Sequence, residues 1–423
     1  MKVNLAYGQG HLAVDLPKGN TTLIEPSPVA GLADERGAVV AALEKPIAAR
    51  PLREWIQPGN RVCIVFTDLT RATPNDRLIP WLLDYLAEVP RENITLLNSV
   101  GTHRPNTPAE LDRMLTPAAA RSHRVLNHDG QALEDLIPLG TTRDGTPALL
   151  NRHFVNADVR IVTGFIEPHF FAGFSGGPKG IMPGVAGLQT IMSNHGAANI
   201  RDPNATFGIT RGNPLWEEMR DIALRPGPSF LLNVTLNEAR QITGVFAGDL
   251  LAAHRLGCEF VRTSAMQKFD APFDLVITTN SGYPLDLNLY QGVKGMSAGA
   301  RVVKPGGTLI LACECREGVP AGSSFEGILR SASAPEEVLT RLAAGSPTVP
   351  DQWQAQIQAL VQRRARVLLH SSLPDETVRA AHLTPCRSIS TTVTALLRGK
   401  NQDGTRIAVL PQGPLTIPYL STP

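Results

Sequence analysis

The chain has little net charge, few cysteines and no long apolar run, and each shortage closes off a class of function. Forty basic residues against 38 acidic ones leave a net charge of +2 over 423 residues. Nucleic-acid and membrane-surface binding normally rest on a clustered basic face, so neither partner is expected and any anion site must be local. The five cysteines, Cys63, Cys258, Cys313, Cys315 and Cys386, are odd in number and scattered. That argues against a disulfide framework and for a reducing compartment. Cys313-Glu314-Cys315 is the one close pair; it follows the apolar run Leu309-Ile310-Leu311 and reads as buried thiols at a strand end rather than a metal site. The start MKVNLAYGQGH lacks an apolar stretch of secretory length, and no later segment approaches membrane-spanning length. The expected location is the cytoplasm.

What is present is material for a large core. Hydrophobic residues make up 43% of the chain, and 37 glycines with 34 prolines stay below a low-complexity composition. The length exceeds the roughly 250–300 residues at which single cores stop growing, so two domains are expected. After short strands at Val3–Tyr7, Leu12–Leu16 and Thr22–Ile24, apolar runs alternate with helical patterns: strand Val62–Thr67, helix Leu78–Ala87, strand Ile94–Val100, helix Ala109–Leu115, strand Val159–Thr163. A second alternation begins with strand Leu275–Thr278 and runs through strand Thr308–Ala312, helices Pro335–Ala343 and Trp353–Arg363, and strand Val367–His370 to strand Ile407–Leu410. Such alternation signals parallel βαβ units. The boundary is placed at 267/268, giving domains 1–267 and 268–423, with the last strand free to return to the N-terminal domain.

In parallel sheets ligands sit where loops leave the carboxyl ends of strands. Four polar segments follow strands here: Thr67 to Arg71, Gly101 to Pro105, Gly164 to Gly180, and Thr279 to Gly295. A single Asp or Arg in such a place is usually a turn or helix cap, but four together point to a site. The run Gly173-Phe174-Ser175-Gly176-Gly177-Pro178-Lys179-Gly180 invites comparison with a phosphate-binding loop. Pro178 stands where that motif needs glycine, and Gly180 where it needs the Ser or Thr that holds magnesium, which argues against a kinase. A looser anion cradle stays open, because the glycines allow close backbone approach. Gly8-Gln9-Gly10-His11 reads as a turn before a strand, not a dinucleotide fingerprint. Of ten histidines, His103, His169 and His195 lie in glycine- or proline-punctuated polar segments, and no compact zinc spacing joins them.

Asp68-Leu69-Thr70-Arg71, Thr102-His103-Arg104-Pro105, the run from Gly164 to Gly177 that contains Glu167-Pro168-His169-Phe170-Phe171, Ile191-Met192-Ser193-Asn194-His195 and Gly282-Tyr283-Pro284-Leu285-Asp286 together resemble the lactate racemase family. Tyr290-Gln291-Gly292-Val293-Lys294-Gly295 and Pro350-Asp351-Gln352-Trp353 extend the resemblance over nearly the whole chain. It implies an isomerase that racemises or epimerises a small 2-hydroxy acid, lactate or another short-chain acid, by hydride transfer. The implied cofactor is a nickel-pincer nucleotide: a pyridinium mononucleotide whose two sulfur substituents and one ring carbon clamp Ni(II), tethered to Lys179 and completed by His195 as metal ligand. Imidazole suits nickel, and four donors give the square-planar arrangement it favours. The resemblance further implies His103 and His169 as the catalytic bases. It implies Asp68, Thr70, Ser175, Gly176 and Gly177 as cofactor contacts, and Arg71, Tyr290, Gln291, Lys294 and Trp353 as substrate contacts. The implied fold is α/β, two Rossmann-like domains with mostly parallel sheets and an active site in the cleft between them. Separate maturation enzymes would build the cofactor.

Leu69 and Ala72 stand where the family usually has His and Pro, and Pro178 and Gly180 where it has Arg and Ser. Three other readings are an epimerase of a larger sugar acid, a pyridoxal-phosphate racemase using Lys179 as its Schiff-base lysine, and a non-catalytic hydroxy-acid-binding paralogue. Oligomeric state is not legible.

Overall fold

Two six-stranded sheets carry the fold, one in each of two units. The computed structural model describes residues 1–345, 347–398 and 404–421. One unit comprises Pro28–His195 and Asn204–Arg262; the other comprises residues 1–27, 196–203 and 263 onward.

In the first unit the strands lie in the order Ile242–Asp249, Phe230–Leu236, Val159–Phe165, Val62–Thr67, Ile94–Ser99, Arg124–Asn127. All neighbours are parallel except the outermost pair, Phe230–Leu236 with Ile242–Asp249. The central strand reads Val-Cys-Ile-Val-Phe without alternation and is buried along that whole run, as a parallel strand covered on both faces must be. Helix Asn75–Tyr85 lays Leu78, Ile79 and Leu82 into the same core as Ile64 and Phe66. Helix Pro108–Leu115 starts with a capping box between Thr107 and Glu110, which satisfies two otherwise orphaned backbone donors.

The chain moves outward from Val62–Thr67 through Ile94–Ser99 to Arg124–Asn127, then returns to the other side of the central strand as Val159–Phe165. This reversal leaves a crevice at the carboxyl ends of the two adjoining strands, the usual ligand position in open parallel sheets. Helix Leu250–Ala265 closes the unit and buries His254. The antiparallel pair Leu136–Thr141 and Pro147–Asn151, the pair at the sheet edge and helices Pro214–Ala223 and Leu250–Ala265 add to the expected alternation.

The second unit orders its strands Thr384–Pro385, Arg366–His370, Val303–Ala312, Phe273–Thr279, Ile407–Leu410, Thr21–Leu23, all parallel. The first 27 residues, placed by sequence in the N-terminal domain, therefore build this unit. The reason is direct: Thr21 pairs with Ile407 at the sheet edge, and Val3, Leu5, Val14 and Leu16 share a core with Ile277, Ile310 and Val409. The last strand expected from sequence, Ile407–Leu410, pairs with Phe273–Thr279 and Thr21–Leu23 in this unit, and a further strand, Ile417–Leu420, pairs with Met266–Phe269. Strands Val62–Thr67 and Ile407–Leu410 and helix Pro335–Ala343 have the bounds expected from sequence. All five cysteines are free and buried. Among the described residues no helix is long and apolar enough to cross a membrane.

Phe66, fully buried in the central strand, should cost about 3–5 kcal/mol when truncated to alanine. A lowered denaturation midpoint checks this, and a loss under about 1 kcal/mol would contradict the core assignment. Burial lowers His254 from 6.5 to about 4. Between those values the unfolded chain holds the extra proton, so stability rises with pH across the window and is lost as pH falls through it. His254→Gln should flatten the stability–pH slope in that window; an unchanged slope would contradict a buried neutral imidazole.

Candidate functional site

Each loop at the carboxyl edge of the first unit's sheet is fixed by its own hydrogen bonds. Asp68 follows the central strand directly and is only 2% exposed. Its carboxylate accepts the Thr70 hydroxyl at 2.9 Å and lies 2.8 Å from His103 Nδ1. Burial would raise the Asp68 pKa, but the hydrogen bond and charge of His103, the Arg71 guanidinium and the Thr70 hydroxyl outweigh it and hold the carboxyl below its ordinary range. The loop bearing His103 leaves strand Ile94–Ser99 and is tied at its base, where the Gly101 N–H donates to Gly184 O at 3.0 Å. The His103 side chain keeps 39% exposure, enough to meet a ligand.

The glycine-rich segment leaves the neighbouring strand Val159–Phe165. Pro168–His169 and Gly173–Phe174 pair as a short antiparallel turn. Inside it the Ala172 N–H donates to His169 Nδ1 at 3.2 Å. Ser175 Oγ donates to Phe165 O and accepts the Glu167 N–H, both at 2.9 Å, and so folds the segment back on its strand. Asn233 accepts the Gly177 N–H at 2.8 Å, and His254 Nε2 meets Ser175 O at 2.9 Å. Gly176 and Gly177 take φ of +72° and +53°. A Cβ on Gly176 would strike the Asn233 side chain, and one on Gly177 the His254 ring, so both positions require glycine.

That path ends in the single turn Gly177–Gly180, which carries Lys179. His195 lies just beyond helix Leu188–Asn194 and is buried. Burial, and after it the Lys179 charge, lower His195 from 6.5 to about 3, leaving a neutral imidazole able to donate to a metal. Phe171 sits between His169 and His195, with ring-centroid distances of 4.6 and 5.2 Å. The structure thus joins Asp68, Thr70, Arg71 and His103 in one cluster and His169, Lys179 and His195 in another, on adjoining strand ends. Among the described residues no three His, Cys, Asp or Glu side chains are arranged to hold a metal ion. An electroneutral nitrogen donor, a nearby primary amine and a glycine cradle fit a group that brings its own metal donors and attaches through an amine.

Tyr290, Gln291, Lys294 and Trp353 lie in the other unit. The first three occupy the opening turns of helix Leu289–Ala300, where Lys294 Nζ donates to Gln291 Oε1 at 2.8 Å. The Tyr290 hydroxyl donates to Asp351 Oδ1 at 2.8 Å, and Gln354 Nε2 donates to Tyr290 O at 2.6 Å. Trp353 is buried at the start of helix Gln352–Arg364. Sequence reasoning passed over Asn233 and His254, and quoted Asp351 within a motif without giving it a role. Asn233 had a signal: it is the one amide in the apolar strand Phe-Leu-Leu-Asn-Val-Thr-Leu.

Residues 7–208 match the lactate racemase N-terminal domain, and residues 269–417 match the lactate racemase C-terminal domain. The chain is 34% identical over 418 residues to a lactate racemase from Thermoanaerobacterium thermosaccharolyticum, covering 97% of each. It is also 34% identical over 385 residues to a lactate racemase from Lactiplantibacillus plantarum, covering 90% of each. The structure of the Thermoanaerobacterium lactate racemase apoprotein superposes with a TM-score of 0.92 at 33% identity, covering 99% of this chain and all of that one. A Thermotoga maritima protein at 20% identity shares the fold, with a TM-score of 0.66 over 91% of this chain and 98% of its own. With both domain matches in order and relatives this similar over almost their full lengths, the chain belongs to the lactate racemase family.

Proposed function

We propose that the chain racemises a small 2-hydroxy acid, with lactate or another short-chain acid as substrate, using a nickel-pincer nucleotide tethered to Lys179. The observation that carries this reading is His195, a buried neutral imidazole under the influence of the Lys179 charge. The activity of the two similar lactate racemases supports lactate as the first substrate to try. Lys179 would hold the cofactor through its amine and His195 would be the protein's metal ligand, with Asp68, Thr70, Ser175, Gly176 and Gly177 around it. When bound, such a group accepts and returns a hydride.

The physical need for that chemistry comes from the substrate. A hydrogen beside both a hydroxyl and a carboxylate is poorly acidic, and its removal as a proton would leave a costly carbanion. Loss as hydride, with the hydroxyl proton going to a base, gives a 2-keto acid instead. Return of hydride to the opposite face gives the mirror-image acid. Two proton-handling groups are then needed, one for each hydroxyl position, and His103 and His169 fill those roles because imidazoles exchange protons near neutral pH. Arg71 and Lys294 would hold the carboxylate while the keto acid turns, each charge-assisted hydrogen bond supplying about 1.5–3 kcal/mol. Tyr290 and Gln291 would add hydrogen bonds, and Trp353 an apolar wall. Free buried cysteines suit a reducing cytoplasm. Because the cofactor must be built elsewhere, maturation enzymes are proposed partners.

Chain co-produced with those maturation enzymes should convert either pure enantiomer of lactate toward the racemic mixture, read by chiral chromatography. Absence of inversion across several short 2-hydroxy acids, in chain verified to carry the cofactor, would refute the reading. His103→Ala and His169→Ala should each lower turnover by about 10²–10⁴-fold with nickel content unchanged. Undiminished turnover in either variant would remove that residue from the acid–base role.

A further inference from the structure

The two histidines assigned to proton handling are gripped at the same ring atom by partners of opposite kind. His103 Nδ1 lies 2.8 Å from Asp68 Oδ2. An ionised carboxylate only accepts hydrogen bonds, so Nδ1 must carry the proton and Nε2 of the neutral ring keeps its lone pair. At His169 the backbone N–H of Ala172 points at Nδ1 from 3.2 Å. A backbone N–H only donates, so this Nδ1 must be bare and the proton of the neutral ring sits on Nε2.

Each grip is supported by its surroundings in the resting protein. Asp68 is buried, takes the Thr70 hydroxyl on both oxygens, and is held ionised by its surroundings. Ala172 is fully buried in the turn that pairs His169 with Gly173. Phe170 and Phe171 pack on the His169 ring at centroid distances of 5.0 and 4.6 Å, which opposes a ring flip.

We propose that Asp68 and the Ala172 N–H hold His103 and His169 in opposite tautomers, His103 protonated at Nδ1 with a bare Nε2 and His169 protonated at Nε2 with a bare Nδ1. Asp68 is then a positioning residue that acts through His103. The inference rests on the reading of both histidines as the proton-handling pair. A hydroxyl that faces His103 passes its proton straight to Nε2, and the ring becomes imidazolium beside the carboxylate; the product hydroxyl then takes its proton from His169 Nε2 once that ring has gained a solvent proton at Nδ1 and is itself imidazolium. A hydroxyl that faces His169 meets an N–H; before that ring accepts a proton at Nε2, its own proton must leave Nε2 for solvent and another must reach Nδ1, with loss of the Ala172 contact. Mirror-image acids have equal free energy, so kcat/KM is the same from either enantiomer. The asymmetry therefore appears as kcat and KM that differ between the two directions by a common factor.

Imidazole nitrogen NMR of the full chain, labelled with nitrogen-15 in histidine, reads the tautomers directly at about pH 8, above the ordinary imidazole range near 6.5. His103→Gln and His169→Gln spectra assign the signals. The expected result is Nδ1–H at His103 and Nε2–H at His169. In Asp68→Asn the new amide can donate, so His103 should switch to Nε2–H while the His169 signals stay in place and report that the variant is folded. Turnover of the cofactor-loaded variant should fall about 100-fold or more. The same tautomer at both rings of the unsubstituted chain, or Nε2–H at His103, overturns the proposal even if racemisation is intact. Opposite tautomers without racemisation would instead sink the functional reading and leave the tautomer assignment standing.

Discussion

The hydrogen bond from the Gly177 N–H to the Asn233 side chain is the contact on which the rest of the site depends. Asn233 is fully buried in a strand of the sheet, where an amide without a partner would cost about 1–3 kcal/mol. The sheet and the loop therefore satisfy one another. The strand needs a donor for its amide oxygen, and the loop needs a fixed point at which to turn with two successive glycines in the left-handed region. His254 adds a second point through Ser175 O from the opposite helix. Lys179 follows two residues later and inherits its direction from both.

Burial then sets the chemistry of the groups so placed. His195 is neutral because its charged form would lose solvation and face the Lys179 ammonium. Asp68 has the opposite fate: it is also buried, yet His103, Arg71 and Thr70 supply enough compensation to keep it charged. One edge of one sheet thus carries an imidazole kept neutral by burial and a carboxylate, held below its ordinary range, that grips a second imidazole. The topology puts both there, since Asp68 and the glycine-rich segment leave adjoining strands on either side of the chain reversal.

The parallel strands and their helices were legible because a strand covered on both faces shows itself as an unbroken apolar run. Val62–Thr67 and Ile407–Leu410 are such cases. The partners of Thr21–Leu23 were not legible: a three-residue strand with no buried residue carries no local sign that it pairs with Ile407, almost four hundred positions away. The antiparallel pair Phe230–Leu236 and Ile242–Asp249 is a non-local feature of the same kind, set by the open edge of a sheet already built. In the site, family motifs led to Asp68, His103, His169, Lys179 and His195, yet motif matching cannot show what grips each ring. His254 and the Ala172 N–H became visible only as hydrogen-bond partners, and a backbone amide has no residue signature at all.

Lys179 and His195 are proposed to hold a single cofactor, and the intact mass of the chain isolated from its native cell, measured together with its nickel content, tests that most directly. The account predicts a chain heavier than its sequence by the pincer nucleotide, with the added mass on the peptide containing Lys179 and nickel equimolar with the chain until His195 is replaced by alanine. A chain of unmodified mass that still inverts lactate, or a modification on a different lysine, would contradict it.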